Sequence, residues 1–302
     1  MVWRERRVQR GYALIAVLWM TAALTVFVSA LVYQARAEVR TVGMRRELAQ
    51  AEASGDAAIQ IAARMIAREP AQFVQQKEFT LAFDGEGMRV VVVPVSGLIA
   101  LNAASEPLLS ALFAYGGGLD PMAAQRLAQR VIDWRDPDSA ALPSGAENPD
   151  YQLAGSHFRT RGGPFEAPED LLQVLGITLE IYDRIKDLVT VDGGSARCNP
   201  LAAPLGVLLV LARGDAAAAE RIAAARDAGS ALVDTTSLMQ EFVDQSTSSR
   251  FRIRAVVPVG EQRFSVRTQV VDVAPVSVHV PWISVRAERA SGFAGSESIP
   301  TR

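Results

Sequence analysis

Cysteine and histidine are almost missing from this chain of 302 residues: Cys198 stands alone, and the two histidines, His157 and His279, are far apart. A single cysteine excludes an intrachain disulfide, and two scattered histidines leave little from which to build a zinc centre or a Ser-His triad. Charge of one sign is missing too. A net charge of -2, from 31 basic and 33 acidic residues, gives no pull toward nucleic acid or an anionic membrane surface. Two local absences say more: no charged side chain occurs between residues 13 and 32, and no proline between 34 and 69.

The uncharged stretch runs from Ala13 to Val32, and its only polar side chains are the hydroxyls of Thr21, Thr25 and Ser29. At about 1.5 Å per helical residue it matches the roughly 30 Å hydrocarbon core of a bilayer. Before it, Arg4, Arg6, Arg7 and Arg10 face a single Glu5, which keeps the N-terminus in the cytoplasm and sends the bulk of the chain across. A cleaved secretory signal would have a shorter apolar region and end in small residues; this one ends in Tyr33-Gln34-Ala35-Arg36.

The junction Arg10-Gly11-Tyr12 resembles the processing site of type IV prepilins and type II secretion pseudopilins. The resemblance implies cleavage by a prepilin peptidase after Gly11 and a mature chain that starts, N-methylated, at Tyr12. Most members of that family have Glu at the fifth mature position, where it meets the N-terminal ammonium of a neighbouring subunit in apolar surroundings. Here that position is Ala16. The K-type minor pseudopilin is the member that characteristically lacks the acid. The alternative is an ordinary signal-anchor helix with a glycine before it.

Beyond the apolar run the helical pattern continues through Val39, Val42, Leu48, Ile59, Ile61, Met65 and Ile66 until Pro70. One helix from Tyr12 to Glu69 would be about 85 Å long, and a break at Gly43 or Gly55 is the alternative. Lys77–Phe83 and Met88–Val95, joined by Asp84-Gly85-Glu86-Gly87, read as a hairpin. Short helices follow over 108–115, 121–134, 168–175, 179–186, 203–212 and 216–227. A weak internal repeat aligns the segment after Asn102 with that after Asn199, each Asn expected to cap a helix. The run Glu169–Ile177 looks like the core of a helix-hairpin-helix. Its second glycine position is Thr178, and Glu169, Asp170, Glu180 and Asp183 would repel a phosphate backbone, so helix packing through Leu171, Leu172, Val174 and Ile177 is the favoured reading.

The most specific internal stretch is Asp133-Trp134-Arg135-Asp136-Pro137-Asp138, continuing through Ser144-Gly145-Ala146-Glu147-Asn148-Pro149-Asp150-Tyr151 to Gly163-Pro164-Phe165. It resembles the signature of the K-type minor pseudopilin, and with the leader and Ala16 the resemblance spans Arg10 to about Gly206. Asp136, Asp138, Glu147 and Asp150 are hard oxygen ligands in a loop with few apolar residues, and a bound calcium would neutralise their repulsion. Family members of this kind bind calcium. A solvated loop in which Asp133 and Asp136 pair with Arg135 is the alternative, and a paired-carboxylate hydrolase is the enzymatic reading of the same residues. No nucleophile-elbow motif supports that enzyme.

Strand patterning returns over 250–259 and 263–272, with one more strand expected over 276–285. The expected fold is α+β: a pilin-like long N-terminal helix on an antiparallel sheet, with a large inserted all-α domain. The expected boundaries are a leader at 1–11, a transmembrane half-helix at 12–33, a periplasmic half-helix and first strands at 34–100, the insertion at 101–245, C-terminal strands at 246–289 and a flexible tail at 290–302. The resemblance implies a tip subunit of a type II secretion pseudopilus, without catalysis and without a small-molecule substrate. Leu14, Ile15, Ala16, Val17 and Leu18 would be its assembly surface. Its partners would be I- and J-type minor pseudopilins, the major pseudopilin, the prepilin peptidase and the inner membrane. A minor pilin of a type IV pilus and a membrane-anchored periplasmic enzyme are the other readings.

Overall fold

The computed structural model describes residues 6–83, 86–230, 232–260, 263–274, 280–288 and 290–294, with side chains from Tyr12 onward. Met1 to Glu5 of the expected leader, the turn at 84–85, residues 276–279 of the last expected strand and 295–302 of the expected tail lie outside them. The chain divides into two compact units, Met1–Ala53 and Ser54–Arg302.

Helix α1 (Arg6–Arg68) contains all the described residues of the first unit. Its apolar segment has no buried side chain, and Thr21 and Thr25 hand their hydroxyl protons to the carbonyls of Leu18 and Thr21 within the helix. Neither Gly43 nor Gly55 interrupts the helix.

The second unit begins with the last turns of α1, where Ala58, Ile59, Ala62, Ala63 and Ile66 are fully buried at helical spacing. These turns lie on an antiparallel sheet of β1 (Lys77–Phe83), β2 (Glu86–Pro94), β5 (Arg250–Val259), β6 (Arg263–Asp272) and β7 (Ile283–Ala287), with β8 (Ser291–Ala294) also paired to β6. Gly55 earns its place here. A Cβ on it would come within 2.6 Å of Arg267 Cγ, so the helix can approach β6 closely only without a side chain at that point. Asp56 next to it accepts from Arg267 at 2.9 and 3.1 Å and from Gln269 at 3.0 Å. The expected flexible tail is corrected at 291–294, where β8 pairs with Arg263–Val266 and covers part of an otherwise open sheet edge.

Strands β2 and β5 are hydrogen-bonded neighbours, Val92 opposite Ile253 and Pro94 opposite Phe251, although 155 residues lie between Val95 and Ser249 inclusive. All of the helical elements between them form one insertion. It comprises β3 (Ile99–Ala100), α2 (Glu106–Ala111), α3 (Pro121–Arg135), α4 (Asn148–Leu153), α5 (Leu179–Ile185), β4 (Val189–Thr190), α6 (Leu205–Leu211) and α7 (Ala216–Asp227). Its core gathers Leu108, Leu112, Phe113, Val131, Trp134, Tyr151, Ile185, Leu208 and Ile222. The sequence pattern holds no sign of β3 and β4. They are a two-residue parallel pair whose members come from opposite ends of the first half of the insertion.

The other face of β5 ties insertion to sheet. Arg252, 8% exposed, donates to the carbonyls of Lys186, Asp187 and Val189; Arg254 pairs with the Asp187 carboxylate, and Arg250 with Asp272 and the Asp192 carbonyl. Burial pushes the Asp187 carboxyl up, and Arg254, bonded to it, more than cancels this and holds it below its ordinary value.

Neither asparagine of the repeat caps a helix. Asn102 exchanges two bonds with Phe165, accepting from its amide at 2.7 Å and donating to its carbonyl at 3.0 Å. Asn199 donates to the carbonyl of Ser246 at 2.9 Å. Each asparagine thus ties the start of its half to a much later strand of chain, a task that a cap position does not allow.

Candidate functional site

Helix α3 ends in the motif, and each motif residue has a separate structural task. Asp133, 1% exposed, accepts the amides of Leu142 and Ala146 at 3.1 and 2.8 Å and so folds the loop back onto the helix. Gly145 lies so close to that carboxylate that a Cβ there would overlap Asp133 Oδ2. Burial, the largest influence, pushes the Asp133 carboxyl up, while the two amides pull it back. Trp134 stacks on Phe165 with ring centroids 4.2 Å apart, and its carbonyl accepts from Arg161 and Gly162 on the return arm of the loop. Arg135 does not pair with Asp133 or Asp136; its guanidinium turns to the carbonyls of Leu101 and Ala104.

Asp136 is therefore left without an ion pair among the described residues, with only the more distant charge of Arg135 in its favour. Asp136, Asp138 and Glu147 each offer an oxygen within 4.8 Å of the others. Asp136 Oδ1 and Glu147 Oε1 are both buried without a hydrogen-bond partner, and Glu147 is 4% exposed. An uncompensated buried carboxylate is costly. Burial first, then Asp138, Asp133 and Glu147, push the Asp136 carboxyl up. Three carboxylates gathered in one place, two of them with an orphaned oxygen, are hard donors of the kind calcium takes, and the residues present fit it as part of its shell.

Asp150, the fourth expected ligand, is corrected. It stands at the third position of α4 and accepts the Glu147 amide at 2.8 Å, so it holds the helix start while the side chain of Glu147 points to the cluster. Helix α4 itself is unsigned in the sequence, because Pro149 sits in what reads as loop but occupies a first-turn position where proline is tolerated. His157, on the same loop, is exposed and outside the cluster. Thr160 is the group that sequence reasoning does not reach: its hydroxyl lies 3.1 Å from Glu147 Oε2, across 13 residues of chain.

The helix-hairpin-helix resemblance is a packing device. Leu171, Val174 and Ile177 are buried, Gly176 has φ +93°, and Thr178 accepts the Ile181 amide at the start of α5. The Tyr151 hydroxyl accepts the Leu175 amide at 3.0 Å and locks α4 to this turn.

At the other end of the chain, Tyr12, Leu14, Ile15, Ala16, Val17 and Leu18 are all exposed along α1. Among the described residues one helix, starting at Tyr12, is long and apolar enough to cross a membrane, which fits a single-pass anchor. Gly11 lies within α1, and its surroundings are not described.

Comparison with known proteins meets these observations at two levels. Residues 99–193, which hold the motif and the carboxylate cluster, match a family model described as type II secretion system, protein K. In fold, the chain is similar to a chain of the GspK-GspI-GspJ complex of the type 2 secretion system from enterotoxigenic Escherichia coli, with a TM-score of 0.55 and 14% identity. That similarity covers 87% of this chain and all of the other. No curated protein matches the chain.

Proposed function

We propose that this chain works as a K-type minor pseudopilin of a type II secretion system, at the tip of the pseudopilus. The observation that carries the reading is the place of the insertion. The segment that matches protein K is set between adjacent strands of a pilin-like sheet, and the sheet is packed on the last turns of α1. The reading puts the anchor in the inner membrane with residues from 34 onward in the periplasm, an orientation that the arginine-rich leader supports. A prepilin peptidase cuts after Gly11, and Tyr12 becomes the N-methylated first residue. The work is assembly rather than catalysis: Leu14, Ile15, Val17 and Leu18 pack against other spine helices, and Ala16 lacks the charge that would engage a subunit above. The solved relative was crystallised with GspI and GspJ, and the corresponding I- and J-type subunits are the proposed partners, with the major pseudopilin below.

The acidic centre completes the proposal. Asp136, Asp138 and Glu147 hold calcium, which supplies the positive charge that the protein does not. Around it Asp133 holds the loop to α3, Asp150 fixes the start of α4, and Trp134 holds the return arm through its carbonyl.

The test is the N-terminal residue and intact mass of the protein from inner membranes of cells that have a prepilin peptidase. A chain that begins at Tyr12 and is heavier by one methyl group is expected. A chain that begins at Met1 would refute the pseudopilin assignment, and reconstituted filaments that grow normally above this subunit would refute the tip position.

A further inference from the structure

Past Val32 the first charged side chains of α1 are Arg36, Glu38 and Arg40. The two arginines are four residues apart, one helical turn, and share a face, while Glu38, two residues from each, points away from both. Neither arginine has an acid three or four residues along the helix in either direction, and neither makes an ion pair among the described residues. Like charges stacked at this spacing repel and weaken the helix, so the pair calls for an anion from outside the chain. The net charge of the whole molecule gives no such pull; this one is local.

The arginines share a shallow groove with Val32, Ala35 and Val39. Helical side chains lean toward the N-terminus, and on α1 that direction is the apolar run. Arg36 stands about 6 Å and Arg40 about 12 Å beyond Val32 along the axis. The headgroup layer is about 5–8 Å thick on each side of the hydrocarbon. Arg36 therefore lies within it, and Arg40, leaning back along its aliphatic stem, reaches it from above. Both guanidinium groups converge on the level of the lipid phosphates, and their planar forks suit phosphate oxygens.

We infer that Arg36 and Arg40 form a binding site for the phosphate of an anionic phospholipid, in the leaflet that faces the globular unit. The inference rests on the membrane anchor proposed above. The site fixes the depth of α1: a shift of one turn out of the bilayer carries Arg36 to the present height of Arg40 and Arg40 beyond the layer.

The experiment uses the full chain in vesicles of phosphatidylcholine with one third phosphatidylglycerol. Equal traces of phosphatidylglycerol and phosphatidylcholine, each with a diazirine next to the headgroup, are photolysed, and adducts are counted on the chymotryptic peptide of residues 34–44, which leaves the leader arginines out of the readout. Each arginine near an anionic surface is expected to favour the anionic lipid about fivefold, hence on the order of 25-fold for the pair. Arg36→Gln/Arg40→Gln should bring the ratio of adducts to about one. Arg45→Gln/Arg46→Gln should leave it within about twofold of wild type, because these side chains start about 20 Å beyond Val32 and do not reach the layer. An equal loss in both variants would mean a diffuse field instead of a site, and a wild-type ratio near one would leave the pair to another anion, such as the acidic face of a protein partner; either overturns the inference while the anchor stands. Loss of the preference in 10 mM inorganic phosphate, against chloride of the same ionic strength, would assign the pair to a free anion and also overturn it. A chain that does not float with the vesicles overturns the anchor and the inference together.

Discussion

Replacing Glu147 by glutamine should make the protein more stable without metal and deaf to metal. Two carboxylate oxygens at the outer limit of this cluster, 4.8 Å, would repel by about 3.5 kcal/mol at an effective dielectric constant of 20. Glu147 faces two such neighbours. Asp138 is exposed and solvent screens these repulsions, so the net relief is on the order of 1–3 kcal/mol. Glutamine adds to this. It keeps an acceptor for Thr160 and replaces the orphaned carboxylate oxygen with a neutral amide that can donate to a neighbouring carboxylate. At roughly 2–4 °C per kcal/mol for a domain of this size, Glu147→Gln should melt several degrees above wild type in EGTA. Calcium at a hundred times its dissociation constant should raise wild type by about 2.7 kcal/mol and leave the variant unmoved, so the order of the two melting curves reverses or closes. The assay is thermal denaturation of the full chain in detergent, in EGTA and in calcium. A variant that melts below wild type in EGTA, or a wild type with the same midpoint in both buffers, would refute the reasoning.

Gly145→Ala should cost more than about 2 kcal/mol, read as a lower urea midpoint, because its methyl group overlaps the Asp133 carboxylate and unseats the amides of Leu142 and Ala146. The Asp187 carboxyl is held below its ordinary value in the fold, so its contribution to stability is complete above the unfolded value near 4 and is lost as pH falls through the folded one. Asp187→Asn should therefore show a flatter loss of stability below about pH 4 than wild type, and parallel curves would refute the pairing with Arg254. Burial pushes the Cys198 thiol up to about 12, so it should resist iodoacetamide at pH 8 and be alkylated only in denaturant. Alkylation of the native protein at the rate of a free thiol would place Cys198 outside the core.

Elements with a strong period were legible in the sequence. The hairpin from Lys77, strands β5 and β6, and α3 and α7 fall within a residue or two of their expected limits, as does the C-terminal end of the spine helix, which starts six residues before the expected Tyr12. What was not legible is long-range. Arg250, Arg252 and Arg254 alternate with apolar residues and so look like a solvent face, yet they reach backbone carbonyls of the insertion that no local pattern can announce. Of the four carboxylates singled out in the acidic loop, the fold brings Asp136, Asp138 and Glu147 together and sets Asp150 apart. Asp150 and Glu147 differ only in which side of a helix start they occupy, and that helix was hidden behind Pro149. Thr160 was invisible because its partner lies on the far arm of a loop whose closure depends on Asp133.

The pairing of Pro94 with Phe251 has a mechanical consequence. The two ends of a 155-residue excursion are about one strand spacing apart, near 4.8 Å. Tension applied along the spine passes from β2 to β5 through their ladder, and the insertion hangs from that ladder as a side branch instead of a link in series. The carboxylate cluster belongs to that branch, so the load carried by the sheet does not run through it.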